Sequence, residues 1–266
     1  MDSSDDHYSA MDELHALGAG GFSDEANGWK LIEMAEGLLS AVADVDSLAA
    51  AEAYMAAAIE DGATPELLAR LWVMLSILQE CQGKDASGAY EAAIEALESL
   101  PEPDVLGAAR LRNNLAMIKK QQGELSSAES LYLKAAEVLE QALGKDNEEV
   151  AALYNNMGGL YYAAGFTDQA RETFLEALEM RKKVLGEDHP DVAQSLANLG
   201  SAHYELGQEG EALACYRRSL DILEKHLEQK RSSYEAVGED LVALLMAVGD
   251  EDEADAVRTR LASALA

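Results

Sequence analysis

Five histidines (His7, His15, His189, His203, His226) and two cysteines (Cys81, Cys215) have the widest chemical range in this chain. None forms a His-x3-His or Cys-x2-Cys pair, the spacings that place two metal ligands on one helix face or in one tight turn. His189 stands beside Asp188 and Asp191, a grouping that could hold a metal or relay a proton. The same residues also read as a turn: the residue before Pro190 is restricted to extended backbone, and the carboxylates are then simply solvated. The acidic run GDEDEADA (249–256) lacks the spaced ligands and the glycine of a calcium loop. The glycine-rich stretch GAGG (18–21) follows no strand, so it is no dinucleotide-binding turn. No nucleophile stands with a base. The expectation is a non-enzymatic chain with no catalytic residue, no cofactor-binding residue and no metal site.

The residues that do recur in a pattern are amides and phenols. Asn114, Asn156 and Asn198 lie 42 residues apart, and Asn113 and Asn155 adjoin the first two. Tyr162 and Tyr204 repeat at the same interval, with Lys120 in the matching place one copy earlier. A carboxamide both donates and accepts, so a row of asparagines can grip a peptide backbone of either polarity. Tyrosines add rigid contact area with a polar tip. The candidate partner-binding residues are therefore Asn113, Asn114, Lys120, Asn155, Asn156, Tyr162, Asn198 and Tyr204. A structural reading stands beside this one, in which the asparagines bridge neighbouring helices inside a stack. Extending the count gives three rows expected to be exposed. They run through Trp72, Asn114, Asn156, Asn198 and Asp240; through Leu71, Asn113, Asn155, Ala197 and Glu239; and through Leu78, Lys120, Tyr162, Tyr204 and Met246. Arg110 and Lys120 near these rows could meet a carboxylate. Arg181, Lys182 and Lys183 are expected on an outer, solvated face.

The interval also predicts the elements that carry these rows. Gly165 returns as Gly207, Ala170 as Ala212 and Phe174 as Tyr216, which marks a stacked repeat. In the middle copy, Tyr154, Met157, Gly158 and Tyr161 share one face of a first helix, and Gly165 ends it. Ala170, Phe174, Ala177 and Leu178 share one face of a second helix. The small residues let the two axes approach, and Phe174 fills the space between them. This resembles the tetratricopeptide pattern, with the second helix about two turns longer than in a copy of about 34 residues.

The strings NNMGGLYYAAG, QARETFLEALEMRKKVLGEDHPDVA and ANLGSAHYELG resemble the 42-residue tetratricopeptide repeats of kinesin light chains over residues 108–227. LGEDHPDVA is present once in full, and the preceding copy reads LGKDNEEVA. The resemblance implies an all-α, right-handed superhelical solenoid of about five helical hairpins, whose first helices line a concave, partner-binding surface. It implies a protein-interaction scaffold or adaptor. In bacterial relatives of kinesin light chain, encoded with bacterial tubulins, it implies association with a tubulin-like filament. The alternatives are a cargo-peptide adaptor and a self-associating scaffold. The chain shows no long heptad run of the kind that joins a kinesin heavy chain, which argues against a motor subunit.

Boundaries follow from the register. Residues 1–27 are acidic and are expected to be flexible, although Tyr8, Met11, Leu14 and Leu17 would share one helical face. Residues 28–104 hold two divergent copies, residues 105–233 regular 42-residue copies, and residues 234–266 a partial capping repeat; together 28–266 make one solenoid. In the first divergent copy, Ala50, Tyr54 and Ala57 carry the signature of the second helix. In the second, LLARLWVMLSILQ is almost wholly apolar and needs cover on both sides. The 28–62 hairpin is expected to supply that cover. Copies three to five begin near Val105, Glu148 and Pro190.

Fifty acidic against twenty basic residues give a formal net charge of −30. No basic stripe exists to displace counterions, so nucleic acid is not expected as a partner, and direct docking to anionic lipid is disfavoured. Residues 1–107 hold 22 acidic and 3 basic side chains, residues 108–266 hold 28 and 17, so the two parts would meet different partner surfaces. The N-terminus has no apolar core of a secretory signal, and no apolar run approaches the ~20 residues of a membrane span. The cysteines are expected as buried thiols of a cytoplasmic protein.

Overall fold

Positive-φ glycines punctuate this chain at Gly123, Gly165, Gly207 and Gly249, each 42 residues after the last, and each closes the first helix of a hairpin. Only a residue without Cβ takes that backbone without strain, which is why the interval was visible in the sequence. The computed structural model describes residues 25–40 and 45–265, and among them all regular structure is helical. The acidic segment up to residue 24, with Tyr8, Met11, Leu14 and Leu17, lies outside the described residues. Two compact units divide at Val138 and Leu139.

The first unit holds α1 (Glu25–Ser40), α2 (Val45–Glu60), α3 (Pro65–Cys81), α4 (Ser87–Glu98), α5 (Val105–Gln121) and most of α6 (Leu125–Leu143). Its α3 is the apolar run, and it is covered on two sides. Leu67, Leu71, Met74, Leu75 and Leu78 pack into one cluster with Leu31, Ile32, Ala35 and Leu38 of α1 and Ala51, Met55 and Ala58 of α2. Ala69 packs into a second cluster with Tyr90, Ala93, Ile94 and Leu97 of α4 and Leu111 and Leu115 of α5, and Trp72 touches both. Polar bonds fix the same hairpin. Thr64 Oγ1 accepts from the Leu67 amide at the start of α3 and donates to Glu25 Oε1 of α1 at 2.9 Å. Glu52 of α2 accepts from Gln79, Gln82 and Lys84, and these bonds hold its carboxyl below the ordinary carboxylate range against the opposing effect of burial.

The register of α2 differs from expectation by one residue. Ala51, Met55 and Ala58 are the buried set, while Ala50 and Tyr54 are half-buried and Ala57 is exposed. This helix faces α1 and α3 together, and the flexible Met55 side chain fills the space an aromatic ring takes elsewhere. Leu71 and Leu78, counted into the exposed rows, are fully buried for the same reason: α1 and α2 pack over that face of α3.

The second unit holds α7 (Glu148–Ala163), α8 (Thr167–Leu185), α9 (Pro190–Glu205), α10 (Glu209–Glu224), α11 (Leu227–Val248) and α12 (Glu251–Leu265). Each helix packs on its neighbours in the chain, the mark of a quasi-one-dimensional stack. The starts of α5, α7 and α9 are Val105, Glu148 and Pro190, as the register predicted. One continuous core runs from Phe174 of α8 through Leu196 and Leu199 of α9 and Tyr216 and Leu220 of α10 to Leu241 of α11 and Val257 of α12. In the last hairpin, Arg217 of α10 forks onto Glu253 of α12 through Nε and Nη2, and Arg260 of α12 reaches back to Asp221 and Glu224.

Gly158 of α7 shows why that position must stay small. A Cβ there would meet the Phe174 ring at 2.5 Å, and Phe174 is 3% exposed, so the ring has nowhere to move. Gly158→Ala is expected to lower stability by about 1–3 kcal/mol through overpacking. Gly238→Ala is the internal comparison. Its Cβ would meet the tip of the half-buried Leu261 at 2.4 Å, and that side chain can rotate away. Chemical denaturation of both variants should rank them in that order; an equal or reversed ranking would remove close approach of α7 and α8 as the reason for the glycine.

Candidate functional site

The candidate residues of the second unit sit on α7 and α9, the first helices of adjacent hairpins. Asn155 is buried, at 5% exposure, and its Oδ1 accepts from Ser195 Oγ and from Asn198 Nδ2 of α9, each at 3.1 Å. Asn155, counted into an exposed row from the sequence, is instead engaged inside the stack, where α7 packs on α9. Asn156 and Asn198 are half-buried. Asn198 also lines a cleft of about 310 Å3 between α9 and α11, with Asp191, Gln194, Leu223, Lys230 and Ser233.

Tyr162 and Tyr204 lie towards the C-terminal ends of α7 and α9 and are 36% and 47% exposed. The Tyr162 hydroxyl donates to Glu205 Oε1 at 3.4 Å, and burial together with that carboxylate pushes the phenol above its ordinary pKa. Asp240 of α11, in the asparagine register, has its carboxyl raised by partial burial and by Glu239 beside it. In the first unit, Asn113 and Asn114 of α5 are half-buried neighbours, with Asn113 Nδ2 donating to Asn114 Oδ1 at 3.2 Å. Lys120 is half-buried, and desolvation lowers its ammonium from the usual range. Arg110 is exposed.

Arg181 corrects the sequence reading. It is not on a solvated outer face but 4% exposed, and its Nη1 donates to the Asp191 carbonyl at 2.8 Å, Ser195 Oγ at 2.9 Å and Gln194 Oε1 at 3.1 Å. Desolvation lowers its pKa. The signal lay in the register: Leu139 and Leu223, 42 residues to either side, are both 2% exposed. Arg181 occupies a core position and reaches across to the start of α9. With Ser195 it joins Asn155 and Asn198 into one polar network within the stack.

The His189 loop is a turn in the structure. His189 is extended (φ −73°, ψ 142°) and caps α9, its Nδ1 accepting from the Asp191 amide at 3.2 Å, with Pro190 at the first helical position. Asp188 accepts from Arg218 Nη2 and Lys225 Nζ, each at 2.9 Å, and these bonds, Lys225 first, hold its carboxyl below the usual range. His226 Nε2–H donates to the Asp188 carbonyl at 3.0 Å. The motif thus ties the end of one hairpin to the end of the next. His203 of α9 bonds Gln208 through Nδ1 at 2.6 Å. Among the described residues no group of three or more His, Cys, Asp or Glu side chains could hold a metal ion.

Cys81 is exposed, not buried, because it is the last residue of α3 and lies beyond the apolar face. Cys215 is half-buried, and burial pushes its thiol up to about 11. No described helix is long and apolar enough to cross a membrane.

Family comparisons match tetratricopeptide-repeat models to residues 108–149 and 149–225. No curated protein matches the sequence significantly. Among solved structures, the fold is similar to BtubC (BKLC) from P. vanneervenii, at 21% identity and a TM-score of 0.67, covering 90% of this chain and 89% of that one. It is similar to kinesin light chain TPR-like repeats from Podosopora anserina, at 20% identity and a TM-score of 0.61 over 76% of this chain and 96% of that one. It is also similar to a Rap protein complexed with competence and sporulation factor, at 15% identity and a TM-score of 0.62, covering 98% of this chain and 76% of that one. Residues 108–225 are tetratricopeptide repeats, flanked in sequence by further helical hairpins, and repeats of this type are protein-interaction scaffolds.

Proposed function

We propose that this chain is a non-enzymatic scaffold that binds a tubulin-like filament, holding its partner on the first-helix rows. The observation that carries the reading is the end-to-end likeness to BtubC, which spans nine-tenths of both chains rather than an isolated repeat pair. The sequence resemblance to the repeats of kinesin light chains, whose bacterial relatives are similar in size and repeat type, supports the same choice of partner. The strong negative charge favours a partner with a basic strip and implies a salt-sensitive association. Among the candidate residues, Asn114, Asn156, Asn198, Tyr162 and Tyr204 keep surface on these helices; Asn155 would act by holding Asn198 in place.

Co-sedimentation with assembled bacterial tubulin filaments tests the proposal. The chain is expected in the pellet at low salt and in the supernatant at high salt. Asn198→Ala should weaken pelleting by about 1 kcal/mol, or several-fold, as for one hydrogen bond. Absence of pelleting at low salt with well-formed filaments would refute the filament reading. A second reading, an adaptor for a short peptide, is favoured by the amide-lined cleft between α9 and α11. It predicts that isolated peptides of the partner bind as well as the intact partner does.

A further inference from the structure

The asparagine register changes chemistry on α11, where Asn198 gives way to Asp240 and Ala197 to Glu239. Asp240 lies in the wall of a second, smaller pocket between α9 and α11, of about 150 Å3, whose other walls are Tyr204, Tyr216, Ala243 and Leu244. That volume suits a side chain; clefts for cofactors run to roughly 300–1,000 Å3. Two tyrosines frame it. Tyr216 is 5% exposed and fixed by its hydroxyl bond to Ser201 at 2.9 Å, while Tyr204 leaves its ring half in solvent. Glu205 follows Tyr204 on α9 and receives the Tyr162 hydroxyl.

Among the described residues, the acids around this pocket lack the intramolecular cationic partners that four other acids of the second unit have. Asp188, Asp221, Glu224 and Glu253 are each matched by an arginine or lysine of the chain itself. Among the described residues, Glu205, Glu239 and Asp240 take part in no ion pair. We propose that the Tyr204–Asp240 pocket receives a lysine or arginine side chain of the bound partner, with the Asp240 carboxylate as counter-ion and the Tyr204 ring against the cationic head. Carboxylate and aromatic face both favour a cation, and an apolar floor of Ala243 and Leu244 takes its methylene stem. The partial burial that raises the free Asp240 carboxyl is then offset by a charge brought from outside. The inference rests on the reading that the first-helix rows bind a partner, and adds the chemistry of one contact.

Fluorescence anisotropy with a labelled decapeptide of alternating alanine and lysine, and with the same peptide Nε-acetylated, tests it apart from any filament. The whole chain is used as wild type and as Asp240→Asn, Tyr204→Ala and Glu179→Gln, the last removing one exposed acid from α8 as a charge-matched control. The lysine peptide is expected to bind and the acetylated one to fail. Asp240→Asn and Tyr204→Ala should each weaken binding about fivefold or more, against less than about 1.5-fold for the control. Equal weakening by Asp240→Asn and Glu179→Gln would overturn the proposal, because attraction would then reflect net charge alone. Equal binding of the acetylated peptide, or no binding of either, would overturn it too. Success here with no filament pelleting would refute the filament and leave the pocket standing.

Discussion

A chain lacking residues 1–62 is expected to aggregate or lose helix α3. The cause is the composition of that helix. Leu67, Leu71, Met74, Leu75 and Leu78 are all under 7% exposed, and their cover on one side comes from α1 and α2. Fully burying such a side chain contributes about 1.5–3 kcal/mol, so uncovering even part of five of them removes on the order of 5 kcal/mol. That is comparable to the whole stability of a domain, about 5–15 kcal/mol. The exposed remainder would also form one contiguous apolar patch, which favours self-association. Size-exclusion chromatography and far-ultraviolet circular dichroism of the 63–266 chain decide the matter. A soluble, fully helical product that melts like the intact protein would show that α3 needs no cover from this hairpin.

The same helix shows what the sequence could and could not reveal. An apolar run without a polar face demands cover on two sides, and α3 has it. The interval from Gly165 to Gly207 located the turns after α7 and α9, and the same step reaches those after α5 and α11, because a positive φ admits few other residues. What stayed hidden was side-chain partnership. The repeat register places an aromatic at Tyr132, Phe174 and Tyr216, all buried, but says nothing of the hydroxyl. Tyr216 has Ser201, Phe174 needs no partner, and the Tyr132 hydroxyl has none among the described residues. Asn155 and Asn198 were both legible as groove candidates, in neighbouring rows, yet only the structure distinguishes the first, buried and doubly bonded, from the second, which keeps a surface on the α9–α11 cleft. Type and spacing fix a position on a helix face; how far a neighbouring helix closes over it depends on packing that no local pattern records.

Arg181→Ala is expected to be the most damaging single substitution in the second unit. It removes three hydrogen bonds from a buried guanidinium and leaves the Ser195 hydroxyl, the Gln194 amide oxygen and the Asp191 carbonyl with one partner fewer. Hydrogen bonds to charged groups contribute about 1.5–3 kcal/mol, and truncation adds a cavity, so a loss of roughly 3–5 kcal/mol is expected. The repeat register supplies a sharper test than alanine. Neighbouring copies carry Leu139 and Leu223 at the place of Arg181, and Leu153 and Val237 at the place of Ser195; all four are buried. The arginine and the serine are therefore a coupled polar replacement for an apolar pair. Arg181→Leu alone should destabilise, because the Ser195 hydroxyl keeps its bond to Asn155 but, with the Gln194 amide oxygen and the Asp191 carbonyl, loses the arginine donor and faces hydrocarbon on that side. Arg181→Leu with Ser195→Val should recover much of that loss, giving a coupling of about 0.5–3 kcal/mol in a double-mutant cycle. Urea denaturation of the four proteins measures it. Strict additivity would mean that the two residues act independently and that the network does not hold α8 to α9. If the coupled apolar variant is stable but binds partner less well, Asn155 and Asn198 need the polar network to keep the ladder aligned.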